Sequence, residues 1–333
     1  MPTPTTCMVR LLLTTLVVAA ALALHWMHAG GQRSHLDGFQ GEVHRLVAVG
    51  DLHGDLEQGR ATLQLMEVVD ENGHWTGGTT TLVQTGDILD RGANSIALVE
   101  WFHQLKREAE QTGGQVITLL GNHELMNMQH QINYVSPNEL QKLGAERIEN
   151  NLEAQSTDLL GEGVKAWLEL LEGDGLLAQH ITKLPTVAII GEGLCRTIFC
   201  HAGLLSHQID LGFRDAESLN QKIWEVLKRK QAHNREAESL TDSRGPLWNR
   251  VLSMEPESVA CPHVDDILGV FNATQMVIGH TVQKQIKTRC NGRLHLIDIG
   301  ISRAYRGRTG GWECVHGMPT ARYPRAEKKL VST

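Results

Sequence analysis

Five short polar motifs each stand directly beyond an apolar run. Leu46–Val49 leads into Gly50-Asp51-Leu52-His53-Gly54, and Thr81–Gln84 into Gly86-Asp87-Ile88-Leu89-Asp90-Arg91-Gly92. Val116–Leu120 leads into Gly121-Asn122-His123-Glu124, Thr197–Cys200 into His201-Ala202-Gly203, and Met276–Ile278 into Gly279-His280-Thr281. Asp51 and His53 are two apart, so at a strand end they point the same way. A carboxylate and an imidazole aimed together make two ligands for a divalent metal. Asp87 can bridge two metals with its two oxygens, and Asn122 offers a neutral amide oxygen. His201 and His280 each add one imidazole. Arg91 carries the planar fork that fits phosphate. His123 can donate a proton, with Asp90 holding its ring in one tautomer.

Any one of these motifs could be accidental; five together are not. Each places Asp, Asn or His beyond the carboxyl end of a strand, where α/β sheets build their sites. Asp51, His53, Asp87, Asn122, His201 and His280 form a mixed nitrogen and oxygen set that suits Mn, Fe or Zn. Six ligands imply two divalent ions, roughly 3.5–4 Å apart, sharing Asp87. Two such ions would produce a hydroxide near neutral pH, and that hydroxide would attack phosphorus in line. His123 would protonate the leaving alcohol.

The elements that must position these residues are short strands alternating with helices. Strands are expected at the five runs above and at Thr186–Ile190 and Leu294–Ile297. Helical periodicity covers Leu56–Val69, Ser95–Gln111, Lys165–Leu171 and Leu219–Lys230. The alternation argues an α/β architecture. Residues 125–180 show helical or irregular patterning and are read as a cap-like insertion. Residues 231–266 read as a long polar loop, and residues 303–333 as a basic, solvated tail. The tryptophans 101, 167, 224 and 248 are assigned to packing, and His103, His130, His180 and His207 to the surface.

The chain has 333 residues, 41% hydrophobic and 21% charged, with a formal net charge of −7. That composition is globular, and a net-acidic chain lacks the footprint of a general nucleic-acid binder. Leu11–Leu24 is uncharged and 14 residues long, within the range of a signal-peptide apolar region and short of a spanning helix. Residues 1–29 are therefore expected to be a signal peptide or signal anchor, and 30–43 a linker. This places the protein in the secretory pathway, with membrane contact through the N-terminal segment alone. The six cysteines are too sparse for a disulfide scaffold.

The motif set resembles the calcineurin-type metallophosphoesterases over roughly residues 44–302. GDILDRG and GNHE resemble the phosphoprotein phosphatase branch, and HAG, GHT and GPLWNR are similar to the Shewanella-like protein phosphatases. The resemblance implies a sandwich of two mixed β-sheets flanked by helices. It also implies one metal on Asp51, His53 and Asp87, and a second on Asp87, Asn122, His201 and His280. His123 would be the general acid, Asp90 its partner and Arg91 a phosphate clamp. A second phosphate-binding arginine is expected, with Arg250 preferred over Arg244. The implied substrate is a phosphoprotein or phosphopeptide. HAG stands where Ser/Thr phosphatases of the superfamily carry HGG, with Tyr305 the candidate for their terminal tyrosine, so phosphotyrosine and phosphoserine/threonine both stay open. The rival readings are a dinucleoside-polyphosphate hydrolase of the same fold and a non-catalytic metal-binding module.

Overall fold

The apolar runs that precede the motifs become buried strands. In the computed structural model, which describes residues 45–150, 157–229 and 240–330, eleven strands form two mixed sheets. The first sheet has the order β11-β10-β9-β1-β2-β3. It contains β1 (Leu46–Val49), β2 (Thr81–Gln84), β3 (Gln115–Thr118), β9 (Gly311–Val315), β10 (Met318–Tyr323) and β11 (Ala326–Lys329). The second has the order β4-β5-β6-β8-β7. It contains β4 (Val187–Ile190), β5 (Thr197–Cys200), β6 (Gln275–Ile278), β7 (Lys287–Arg289) and β8 (Leu294–Leu296). The strands β1, β2 and β3 are mutually parallel, as are β5, β6 and β8. Strands buried on both faces read as continuous apolar runs, and β1, β2, β5 and β6 have no exposed residue. The sheets meet at Trp312 of β9, whose ring lies edge-on to Phe199 of β5 at 5.8 Å. Cys195, just before β5, and Cys314 of β9 form a disulfide between the two sheets.

The main helices are α1 (Leu56–Leu65), α2 (Ser95–Gln111), α3 (Asn122–Met128), α4 (Pro137–Asn150), α5 (Leu159–Leu170), α6 (Leu176–Ile181), α7 (Ala216–Arg229) and α8 (Glu257–Val270). The insertion is thus α4, α5 and α6 with the end of α3. Asp158 caps α5, accepting from the Gly161 amide at 2.9 Å, so this helix begins six residues before the periodicity suggests. Helix α1 stops four residues short of Val69, because Glu67 turns the chain at φ 54° and the Val68 amide returns to the Leu63 carbonyl.

Two expectations are overturned. Residues 257–266 of the supposed loop belong to helix α8, which runs on to Val270, because Ala260, Val264, Ile267 and Leu268 recur at helical spacing and are buried. Its Ser, Glu and Pro content hid that stripe. The supposed solvated tail supplies β9, β10 and β11, and β9 pairs antiparallel with β1. Trp312 and Cys314 alternate inward and are fully buried. Two of the basic residues that suggested solvent face acids instead: Arg303 lies 2.8 Å from Asp55, and Arg322 lies 3.0 Å from Glu67 and 3.6 Å from Glu313. Residues 1–43, the expected signal segment and linker, lie outside the described residues. Among the described residues no helix is long and apolar enough to cross a membrane.

Candidate metal centre and active site

Five of the six parallel strands, all but β5, lead directly into residues that line one cavity of about 710 Å³. Its lining includes Asp51 and His53 from beyond β1, Asp87 and Arg91 from beyond β2, and Asn122 and His123 from beyond β3. His280 follows β6, and Asp298 follows β8. His201, from beyond β5, is fully buried behind this surface, with Nε2 2.9 Å from Asn122 Oδ1 and 3.2 Å from His280 Nδ1. The six expected ligands are therefore brought together from both sheets.

One oxygen joins the two halves of the set. Asp87 Oδ2 lies 3.6 Å from His53 Nε2 and 3.4 Å from His201 Nε2. Ligand atoms of His53, Asp87 and His123 fall within 4.8 Å of one another, and so do those of Asp87, His201 and His280. Each of three imidazoles backs onto a main-chain carbonyl. His53 Nδ1 meets the Leu89 carbonyl at 3.1 Å, His201 Nδ1 that of Thr85 at 2.8 Å, and His280 Nε2 that of Trp248 at 3.2 Å. A nitrogen held this way fixes the tautomer and leaves the other lone pair free for a cation. The backbone is bent to deliver these groups: His53, Asp87, Asp90, Arg91 and His280 all have positive φ, between 42° and 72°. Two glycines leave room for the carboxylates. A Cβ on Gly279 would sit 2.4 Å from Asp51 Oδ1, and one on Gly121 2.2 Å from Asp87 Oδ1.

The electrostatics fit a divalent cation. Burial, then the charges of Asp298 and Asp87, push the Asp51 carboxyl well above the usual range. Burial also opposes the Asp87 charge, but His201 and His123 outweigh it and hold that carboxyl well below. Burial drives His53 down to about 4 and His280 to about 3, so both imidazoles are neutral, as ligation requires. Carboxylate, amide and neutral imidazole donors around mutually repelling acids are the chemistry of a divalent metal site.

His123 stands at the edge of this centre with a different partner. Its Nδ1 is 2.5 Å from Asp90 Oδ2. Burial works against its charge, but Asp87, Asp90 and Glu124 together keep its pKa above the ordinary value. The second oxygen of Asp90 accepts from Asn127 Nδ2 at 3.0 Å, and Asn127 Oδ1 accepts from the Trp167 indole at 2.8 Å. This chain of bonds runs from α5 of the insertion to the imidazole.

The arginines separate. Arg91 lies over the Tyr134 ring at 4.1 Å and 5.9 Å from the Tyr305 ring, at the cavity wall. Arg250 also lines the cavity, its Nη1 donating to Thr281 Oγ1 at 2.9 Å and the His280 carbonyl at 3.3 Å. Arg244 does not line it and instead faces Asp242 at 3.8 Å. Of the tryptophans assigned to packing, Trp101 and Trp167 are buried, while Trp248 reaches the cavity, as does Met126. His180 is buried rather than on the surface, 2.9 Å from His103, because α6 packs back on α2.

Four residues have roles that escaped the sequence reading. Glu124 accepts four main-chain N–H bonds, from Asp87, Ile88, Leu89 and Gly121, at 2.9–3.1 Å. It ties the strained turn of Asp87 to the start of α3. Its place in GNHE was visible, its role was not. Asn127 and Trp167 carried no local signal, since they meet Asp90 only through tertiary packing. Asp298 did carry one, being the polar residue beyond the seventh expected strand.

Comparison with known proteins agrees with this geometry. Residues 44–284 match the calcineurin-like phosphoesterase family. The chain is 31% identical to Shewanella-like protein phosphatase 2 of Arabidopsis thaliana, over 83% of this chain and 73% of that protein. It is 27% identical to Shewanella-like protein phosphatase 1 of Plasmodium berghei, over 78% and 67% of the two chains. A cold-active protein-tyrosine phosphatase of a psychrophilic Shewanella superposes with a TM-score of 0.71 at 22% identity, over 87% of this chain and 81% of that one, a likeness of fold.

Proposed function

Because the chain belongs to the calcineurin-like phosphoesterase family and is a metal-dependent phosphatase, we propose that it hydrolyses phosphomonoesters on proteins at a centre of two divalent cations. The observation that carries this reading is the shared Asp87 oxygen, which faces His53 on one side and His201 on the other. Asp51, His53 and Asp87 would hold one ion, and Asp87, Asn122, His201 and His280 the other. Bound ions supply positive charge for the phosphoryl oxygens and acidify a water. The chain's own groups do the rest. Arg91 and Arg250, both in the cavity lining, grip the phosphoryl oxygens. His123, with Nδ1 occupied by Asp90, presents Nε2 to the leaving oxygen and delivers its proton. Mn, Fe and Zn all suit the donor set. The relatives named as protein phosphatases support a phosphoprotein substrate.

The test is a side-by-side rate comparison of the purified, Mn-loaded chain on phosphotyrosine peptides, phosphoserine/threonine peptides and diadenosine tetraphosphate. Peptide turnover that EDTA abolishes is expected, and Asp87→Asn should lower it by at least about 10³-fold. Selective cleavage of the dinucleotide would overturn the protein-phosphatase reading.

We also propose an oxidising, secretory location. The apolar N-terminal segment and two disulfides, Cys195–Cys314 and Cys261–Cys290, support it.

A further inference from the structure

We propose that Asp298 is a further carboxylate of the cation centre, placed there by the sixth parallel strand. The inference rests on the two-cation reading above. Five parallel strands deliver the ligands expected from the sequence, and β8 delivers Asp298 to the same cavity wall. The side chain is 1% exposed. Its Oδ1 accepts from the Gly300 amide at 2.9 Å, while its Oδ2 has no hydrogen-bond partner. No lysine or arginine forms an ion pair with it among the described residues. Asp51 and Asp87 repel its charge, while His201 and Arg250 favour it from a distance without forming an ion pair with it.

A buried carboxylate oxygen with no partner, beside two other carboxylates, is costly unless a cation answers it. The bond to Gly300 does not require a charge, since an amide or hydroxyl oxygen would accept it equally. Serving the turn therefore explains Oδ1 and leaves Oδ2 and the negative charge unexplained. A centre with two divalent ions explains both, because Asp298 adds to Asp51 and Asp87 the negative charge that four positive charges call for.

The test compares the full chain with Asp298→Asn at pH 8, stripped of metal and then titrated with MnCl2. Thermal unfolding and Mn binding are read in both. Removing a repelling charge should make the stripped variant melt above the stripped wild type. Mn should then bind the variant about 10- to 100-fold more weakly, so that added Mn narrows or reverses the gap. Asp298→Ser, which keeps an acceptor for Gly300, should behave the same way and serves if the asparagine variant does not fold. Equal Mn affinity in variant and wild type would overturn the proposal. So would an equal loss of stability with and without Mn, the result for a turn anchor alone. Asp87→Asn separates the two readings. If it loses Mn while Asp298→Asn does not, only this inference fails; if it keeps Mn, the cation centre fails and the inference with it.

Discussion

His123 and Glu124 are neighbours at the start of α3, yet their side chains serve different parts of the site. Glu124 spends both oxygens on four main-chain amides and holds the Asp87 turn at φ 58°. His123 is free on its outer side and held by Asp90 on its inner side. Its raised pKa keeps the proton available at neutral pH and lets it go on the alkaline side. Rates that need this proton should therefore hold through neutrality and fall as pH rises. His123→Asn is expected to cost about 10²–10⁴-fold on alkyl phosphates and much less on p-nitrophenyl phosphate, whose leaving group needs little protonation. It should also lose the alkaline limb of the rate profile. Equal losses on both substrates would remove His123 from the general-acid role. Most of these residues were legible because Asp, Asn and His at strand ends are chemically specific. Arg250 could be preferred to Arg244 but not fixed, since both sit near GPLWNR and only packing turns Arg250 toward Thr281.

Among the elements, the inserted helices do more than cover the site. Trp167 of α5 is fully buried and bonds Asn127, which bonds Asp90. Trp167→Phe keeps most of the packing but leaves the Asn127 oxygen unpaired, at about 1–3 kcal/mol of stability. The amide is then held only by its donor bonds to Asp90 and the His123 carbonyl, and steadies Asp90 less firmly. Turnover of alkyl phosphates should fall by up to about tenfold, or ~1.4 kcal/mol of barrier. Turnover of p-nitrophenyl phosphate should fall less, and Mn content should stay the same. A loss shared equally by both substrates, or a loss of Mn, would mean that Trp167 acts only through packing. The periodicity of 125–180 suggested helices, but not that one of them connects to the His123 imidazole, because an indole on an apolar face looks the same whether or not its N–H has a partner.

For the whole molecule, the two sheets act as one unit because their inner faces are joined by aromatic contacts and by Cys195–Cys314. That disulfide closes a span of 119 residues. In the chain-entropy view such a link stabilises by roughly 5 kcal/mol. Reduction should therefore lower the melting temperature markedly, and Cys314→Ser should reproduce most of the loss. A melting temperature indifferent to reductant would count against both the bond and the oxidising location. Cys200 is buried and free, so it should stay unmodified by alkylating reagents until the chain unfolds.

The sequence alone determined the chemistry: which groups could bind cations, which could donate a proton, and that all of them sit beyond short apolar strands. Those facts are local, since residue type and spacing survive without a fold. The tertiary structure decided the rest. It selected Arg250 over Arg244, since β6 and the segment before Val251 must pack before either guanidinium has a direction. It turned the apparent tail into β9–β11, because strand pairing with β1 joins residues more than 260 positions apart in the chain. It also left one oxygen of Asp298 buried and unanswered beside Asp51 and Asp87, a feature of three separate strand ends that no stretch of sequence contains.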